Sequence, residues 1–250
     1  MAKVVHKFGR NDTVGNGVWE DVWMRGGVYA WPQAGNILHL FSAATGDSST
    51  NEGARTVTLQ GLATDFTEIQ ETVTLLGAST AVTTTKFQRI NRAFVQDAGT
   101  YGTLTAGGNL GVITINTSGG VAAATIDTDT GSGTVGMGQT QVARYTVPKD
   151  QTAYVTQIEL NVNAAKPADV AWFQRQKADV VVAPMTAPRL VEYYDGVDGQ
   201  RLIQHHDTPY GPFPEMTDIW FAAKGDGNAT KVTADFELVL YPQGQEPEFG

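Results

Sequence analysis

The stretches that decide the fold are TAYVTQIELNV, residues 152–162, and VTADFELVL, residues 232–240. In the second stretch apolar side chains occupy every other position from Val232 to Leu240, with mostly polar residues between them. The end of the first stretch alternates in the same way. A period of two is that of a β-strand with one buried face. Because the two stretches lie far apart in the chain, a sheet that contains both is closed by long-range pairing.

The rest of the chain favours the same fold class. Short apolar runs separated by Gly, Pro, Asn and Asp recur between residues 41 and 98 and again from residue 139 onward, which is typical of strands joined by turns. The sequence therefore predicts an all-β protein, an antiparallel β-sandwich of jelly-roll type. Residues 41–98 and 139–250 are predicted to form the sandwich, and residues 1–40 an N-terminal aromatic arm.

Residues 99–138 differ from the rest because Gly, Thr, Ala and Ser dominate them. Such a composition fits a disordered linker, but the regularly interposed Val and Ile residues favour short, exposed strands with tight turns. We therefore predict a Gly/Thr-rich insertion or hairpin lobe that protrudes from the sandwich.

Composition and charge exclude several classes of function. The 250 residues include no cysteine, so neither a disulfide framework nor a thiolate metal site is available. Seventeen Lys and Arg against 26 Asp and Glu give a formal net charge of −9, which disfavours general nucleic-acid binding because phosphate contacts need a positive surface. The sequence contains neither a long apolar run nor an apolar signal region near Met1, so we expect no membrane association and no secretion.

Three of the five tryptophans, Trp19, Trp23 and Trp31, lie in the predicted arm among several glycines. Two interpretations stay open at this point. The rings could plug the end of a sandwich, or they could dock the arm onto a neighbouring subunit, since aromatic residues carry much of the binding energy at protein interfaces.

The first ten residues are the most basic part of the chain. They contain Lys3, Lys7 and Arg10, with Phe8 between them, and no acidic residue. In an acidic protein such a segment favours contact with an acidic partner or with a neighbouring copy, although a frayed terminus has the same composition. We predict that these four residues, together with the three tryptophans, form a subunit or partner contact.

Several short motifs resemble those of virion structural proteins in tailed bacteriophages. They are Phe8-Gly9-Arg10-Asn11, Trp19-Glu20-Asp21-Val22-Trp23, Gly26-Gly27, Trp31-Pro32, Gly53-Ala54-Arg55-Thr56-Val57, Gly61-Leu62, Phe87-Gln88-Arg89-Ile90 and Thr217-Asp218-Ile219. The resemblance implies a role in the phage particle as head decoration, fibre or tail component, without catalysis or cofactor. We expect the protein to associate with itself, as a homotrimer, and with the major capsid protein or other virion proteins. Its expected location is the virion, assembled in the host cytoplasm.

Catalytic and metal sites are not predicted. His205, His206 and Asp207 include the residue types of a facial metal site. However, neighbouring residues on a strand point to opposite faces, so both imidazoles cannot reach one metal without a bulge. The sequence also lacks a Gly-x-Ser-x-Gly motif and a phosphate-binding glycine loop.

Two other functions remain as alternatives. A glycan- or receptor-binding sandwich would use exposed aromatic rings as stacking platforms, and Tyr193, Tyr194 and Tyr210 are the candidates. A glycosidase would need two carboxylates roughly 5–10 Å apart in a cleft.

Overall fold

The computed structural model describes residues 2–102, 108–129, 135–163, 165–199 and 202–247. Within these residues every regular element is a β-strand, and all strand pairs in the sheets are antiparallel. The prediction of an all-β, antiparallel protein is therefore confirmed. The chain divides into two compact units. The terminal unit comprises Met1–Val28 and Val142–Gly250, and the inserted unit is Tyr29–Gln141.

The strands are numbered in chain order, and β3 to β11 belong to the inserted unit. They are β1 (Lys3–Val14), β2 (Trp19–Asp21), β3 (Leu38–Ser42), β4 (Ala54–Leu62), β5 (Glu68–Thr74), β6 (Ala81–Val82), β7 (Arg89–Ala98), β8 (Ile113–Thr117), β9 (Ala122–Ile126), β10 (Thr128–Asp129), β11 (Val135–Gly136), β12 (Arg144–Thr146), β13 (Gln151–Val162), β14 (Ala168–Arg175), β15 (Arg189–Val197), β16 (Leu202–Phe213), β17 (Asp218–Gly225) and β18 (Thr230–Pro242).

The terminal unit consists of two sheets around one core. One sheet has the order β1-β18-β13-β16, and the other has the order β12-β17-β14-β15 with β2 also paired to β17. Rings from both sheets meet in the core, because Phe221 of β17 lies 5.4 Å from Phe236 of β18 and 5.9 Å from Trp172 of β14, between ring centroids. Fully burying one such side chain contributes roughly 1.5–3 kcal/mol to the free energy of unfolding.

The alternating apolar residues that predicted β18 are the residues that this strand buries in the core. Its five apolar positions each expose 1% or less of their surface: Val232, Ala234, Phe236, Leu238 and Leu240. In β13 the buried side chains change parity along the strand, from Val155 to Ile158, and the pairing with β18 shifts register at the same place. One extra residue, a β-bulge, therefore keeps both halves of β13 facing the core.

The chain leaves the terminal unit after β2 and returns to it at β12. These two short strands occupy the same edge of the sheet, beside β17. β2 and β12 lie end to end along the same side of β17. Between them, Val22 donates its amide hydrogen to the Phe221 carbonyl, and Phe221 donates to the carbonyl of Ala143. Ala143 in turn donates to the Val22 carbonyl at 2.9 Å. These bonds form a neck, residues 22–23 and 142–143, that keeps the edge ladder of β17 continuous.

Glycine is required where β1 passes over this neck. A Cβ atom on Gly9 would lie 2.1 Å from the amide nitrogen of Ala143 and 2.4 Å from the carbonyl oxygen of Val22. Both distances are too short for any side chain. The close approach of β1 to the neck therefore depends on the absence of a side chain at this position.

The inserted unit has its own two sheets and its own core. The sheets have the orders β6-β3-β8-β9 and β5-β4-β7, and a short hairpin pairs β10 with β11. Side chains from both sheets are fully buried together, among them Leu40 of β3, Leu59 of β4 and Ile115 of β8. This packing gives the inserted unit a core of its own between its two main sheets.

The boundaries of these units differ from the predicted domain organisation. Residues 41–98 lie in the inserted unit with residues 108–141, not in one sandwich with residues 139–250. Residues 1–40 do not form a single arm, since they contribute β1 and β2 to the terminal unit and β3 to the inserted unit. Within the segment predicted as a lobe, residues 99–138, Ile113, Ile115 and Ile126 are fully buried in the core of the inserted unit. Residues 103–107 and 130–134 of that segment lie outside the described residues.

A buried carboxylate fixes the loop after β3. Asp47 is fully buried and accepts hydrogen bonds from the Ser42 hydroxyl at 2.5 Å and the Ala54 amide at 2.9 Å. It also accepts from the amides of Leu110 and Gly111, at 2.8 and 3.0 Å. The carboxylate thus joins the loop after β3 and the start of β4 to Leu110 and Gly111, which lie 63 and 64 positions away in sequence.

We expect Asp47→Ala to lower the free energy of unfolding of the inserted unit by at least about 3 kcal/mol, because it leaves four buried donors without an acceptor. The matched control is Asp97→Ala, which removes one exposed hydrogen bond to Thr56 and should cost under about 1 kcal/mol. Urea denaturation measures both. Equal losses in the two variants would show that Asp47 has no special structural role.

The neck also predicts that the terminal unit folds without the insertion, because its core draws only on its own residues. We expect a chain in which a Gly-Ser linker of about eight residues, spanning roughly 15 Å, replaces Tyr29–Gln141 to give a dispersed amide NMR spectrum and a cooperative thermal transition. A collapsed spectrum or an aggregated product would contradict the independence of this unit.

Candidate functional site

The basic segment at the start of the chain is an edge strand rather than a free arm. β1 pairs with β18 from Lys3 to Val14, and among the described residues no strand pairs with its other edge. Val4 is 67% exposed and Lys3 is exposed beside it. An unpaired strand edge of this kind presents backbone donors and acceptors to a partner chain.

The other predicted contact residues of β1 are placed differently. Lys7 is 6% exposed, so it lies within the terminal unit and not on a free surface. Phe8 is half-buried and stacks on His6 with ring centroids 6.0 Å apart. Arg10 forms an ion pair with Asp12 at 2.6 Å. Of these residues Phe8 and Arg10 remain accessible, and their contact role stays a prediction.

The three tryptophans do not act together. Trp23 is 3% exposed, donates from Nε1 to the Gly27 carbonyl and lies 4.9 Å beneath the Arg144 guanidinium. Trp23 is therefore a packing residue of the neck.

Trp19 and Trp31 belong to different units. Trp31 of the inserted unit meets Tyr29 edge-on at 5.0 Å, and the buried Arg89 guanidinium lies 5.2 Å from its ring. Trp19 of β2 is half-buried in the terminal unit. The two rings that the sequence grouped in one arm thus belong to different units.

A charged and aromatic cluster surrounds Trp19 on the outer face of one sheet. Asp169 forms an ion pair with Lys224 at 2.7 Å and accepts a hydrogen bond from the Tyr193 hydroxyl at 2.7 Å. Lys224 lies 5.3 Å from the Trp19 ring, and Tyr193 meets the same ring edge-on at 6.0 Å. The four groups form a closed set of contacts in which each is held by the others.

The protonation of this cluster follows from the ion pair. Burial raises the pKa of Asp169, but hydrogen bonds from Lys224, the backbone and Tyr193 outweigh it and hold the pKa well below its ordinary value. The hydrogen bond to Asp169 raises the pKa of Lys224 and of Tyr193. The carboxylate and the ammonium are thus both charged at neutral pH, and the Tyr193 hydroxyl serves as a structural donor.

The other two predicted stacking residues lie elsewhere. Tyr194 packs against the core of the terminal unit, and its hydroxyl lies 2.9 Å from Glu192 Oε2 and 2.9 Å from Gln204 Oε1. Tyr210 is 43% exposed and its ring lies 5.1 Å from that of Trp172. Tyr194 and Tyr210 therefore face the core of the terminal unit, whereas Tyr193 faces outward.

Sequence reasoning missed the polar partners of these tyrosines. Glu192 belongs to β15 and Gln204 to β16, so the contact between them joins the last strand of one sheet to the last strand of the other. The sequence signal for this contact was the alternation along each strand. Glu192 and Gln204 occupy positions that face the core, where apolar residues are the rule. That signal becomes readable only when the strand pairing is known.

No metal site or membrane helix is found in the part of the chain that the structure describes. His205 and His206 are consecutive on β16, and no group of three His, Asp or Glu residues in the described ranges is arranged to hold a metal ion. The same ranges contain no helix long and apolar enough to cross a bilayer.

Comparisons with known proteins do not assign a family. No protein-family model matches the chain, and no curated protein sequence matches it significantly. Solved structures of infectious bursal disease virus overlap it weakly. The Gt strain shares 8% identity over 98% of this chain and 74% of that chain, with a TM-score of 0.26. The VP2 subviral particle shares 10% over 97% and 72%, also at 0.26. TM-scores this low do not establish a shared fold.

We expect Asp169→Asn to lower the free energy of unfolding by about 1.5–3 kcal/mol at pH 7, because the charge-assisted hydrogen bonds are lost. A carboxyl whose pKa is depressed by folding stabilises the protein above its ordinary pKa and loses that effect as the pH falls. The gap between wild type and variant should therefore shrink below the ordinary value of 3.8.

Chemical denaturation at a series of pH values measures this gap. Asp179→Asn, at an exposed position of the same unit, serves as the control and should change the free energy of unfolding little at any pH. A gap for Asp169→Asn that stays constant from pH 7 to pH 3 would contradict the assignment.

Proposed function

We propose that this protein is a non-enzymatic structural component of a phage particle that associates with copies of itself. The observation that carries the proposal is the unpaired edge of β1, a 12-residue strand with the exposed Val4 near its start. In this proposal the edge contacts a neighbouring copy, and the assembled protein binds the major capsid protein or another virion protein. Its location is the virion, after assembly in the host cytoplasm.

We also propose that the terminal unit is a jelly roll. When β2 and β12 are counted as one strand, eight strands remain, and four of their pairs are first with last, second with seventh, third with sixth and fourth with fifth. This nesting is what results when one long antiparallel ribbon is rolled into two sheets. Jelly rolls build viral capsid domains and lectin domains, so the topology supports an assembly or a sugar-binding role by fold analogy.

Charge supports a head-to-tail contact. Two β1 edges placed against each other would bring two basic N-terminal segments together, which is unfavourable. The chain as a whole carries a net charge of −9, so another surface of a neighbouring copy is acidic on average and attracts the basic edge. A heterologous contact of this kind closes into a ring when its rotation permits, and the proposed ring is a trimer.

Light scattering over a concentration series tests the proposal. We expect a species near three times 26.7 kDa whose stability falls as salt is added, because screening weakens the charged contact.

We expect Val4→Glu to raise the concentration needed for assembly by at least about tenfold, since it places a carboxylate against an acidic neighbour.

The matched control is Val28→Glu, because Val28 is 75% exposed and Val4 67% exposed in the same unit. The control should assemble as the wild type does. A monomer at every concentration, or an equal effect of the two variants, would overturn self-association through β1.

A further inference from the structure

The open side of the sandwich holds a group of polar and aromatic side chains. It lies where β15, the last strand of one sheet, faces β16, the last strand of the other. We call it the edge cluster, and its members are Trp172, Glu192, Tyr194, Gln204, His206 and Tyr210. Two contacts cross between the sheets here, from Tyr194 to Gln204 at 2.9 Å and from Trp172 to Tyr210 at 5.1 Å.

The hydrogen bonds of this cluster do not balance. The Tyr194 hydroxyl lies 2.9 Å from an oxygen of Glu192 and 2.9 Å from an oxygen of Gln204. A phenol donates only one hydrogen, and burial together with the hydrogen bond to Glu192 raises the pKa of Tyr194, so the group stays a donor. One of the two acceptors therefore lacks a hydrogen.

Turning the Gln204 amide does not remove the deficit. Its nitrogen now donates to Glu192 Oε1 at 3.4 Å. If the amide nitrogen and oxygen exchanged places, Tyr194 would gain a partner, but the amide oxygen would then face the Glu192 carboxylate without a hydrogen between them. In either arrangement the three side chains have more acceptors than hydrogens.

Three buried polar atoms on β14 and β16 also have no hydrogen-bond partner among the described residues. They are Nε1 of Trp172, Nε2 of His206 and Oε1 of Gln174. Trp172 is fully buried, and Gln174 follows it by two residues and so shares its face of β14. Buried polar atoms are normally paired. Here the indole N–H of Trp172 lacks an acceptor, and the side-chain oxygen of Gln174 lacks a donor.

We propose that the edge cluster binds a neutral carbohydrate. Sugar hydroxyls both donate and accept hydrogen bonds. This matches a site with an unpartnered indole donor on Trp172, an unpartnered oxygen on Gln174, and two oxygens that share the single hydrogen of Tyr194. Tyr210, which is 43% exposed, offers an aromatic face for the apolar side of a pyranose ring. The Glu192 carboxylate accepts hydroxyl hydrogens and repels anionic ligands such as phosphates and uronic acids.

This assignment differs from the group of three tyrosines that the sequence suggested. Tyr193 faces outward, and its hydroxyl is engaged by Asp169, so it lies outside the edge cluster. Its exposed fraction is 44%, against 43% for Tyr210. The two residues are therefore a matched pair, of the same type and exposure in the same unit, but Tyr193 lies on the outer face of its sheet and Tyr210 faces the other sheet.

Binding of the full-length protein to a glycan array tests the proposal. The array carries neutral oligosaccharides of glucose, mannose and N-acetylglucosamine together with sialylated and sulfated glycans. We expect binding to neutral members only. Titration calorimetry with the best neutral oligosaccharide should then show at least about tenfold weaker binding for Tyr210→Ala and for Glu192→Gln, because a stacking face or a charged acceptor is lost. Tyr193→Ala should bind as the wild type does.

Near-ultraviolet circular dichroism and thermal unfolding verify that each variant is folded. Glu192→Gln preserves side-chain shape and serves as the decisive variant if Tyr210→Ala does not fold. Binding to no neutral glycan, a preference for anionic glycans, or an equal loss in Tyr193→Ala would each overturn the proposal. Because Val4 is not part of the edge cluster, the oligomeric state of Val4→Glu reports on self-association separately from sugar binding.

Discussion

Pairing of β18 on both of its edges is the constraint on which the terminal unit depends. β18 pairs with β1 on one side and β13 on the other, and every second side chain from Val232 to Leu240 is buried. A slip of one residue would expose this whole set and turn Asp235 and Glu237 toward the core. The register of β18 is therefore fixed by burial, and β1 and β13 inherit it. Through β1, this register also sets Gly9 over the neck at which the insertion begins and ends.

Alternation along the sequence could predict β18 and β13, because both bury a continuous apolar face. The bulge in β13 was also readable in principle, since Ala153 and Val155 have the opposite parity to Ile158. β1 could not be recognised as a core strand, because its buried positions include Lys7, Gly9 and Asn11. These residues are buried because strands approach closely or because side chains form hydrogen bonds. Neither cause produces an alternation of apolar residues in the sequence. The insertion boundary was hidden because β2 and β12 are each too short to show alternation.

For the candidate sites too, features that depend on neighbouring residues could be predicted, and contacts between distant segments could not. Adjacent strand residues face opposite ways, so the separation of Tyr193 from Tyr194 could be predicted as soon as both were placed on one strand. The partners of each tyrosine could not. Asp169 and Lys224 meet because β14 and β17 pair in one particular register, and Glu192 meets Gln204 because two sheets stack. Such contacts depend on topology, which no single stretch of sequence encodes.

The pairing of β1 with β18 also has a consequence for synthesis. β1 is made before the inserted unit and its partner only after it, so β1 waits unpaired while more than two hundred residues are added. At the usual rates of translation this wait is roughly 10–50 s. An unpaired strand exposed for so long is a hazard for aggregation. The positive charges of Lys3, Lys7 and Arg10 oppose the pairing of nascent chains during this interval.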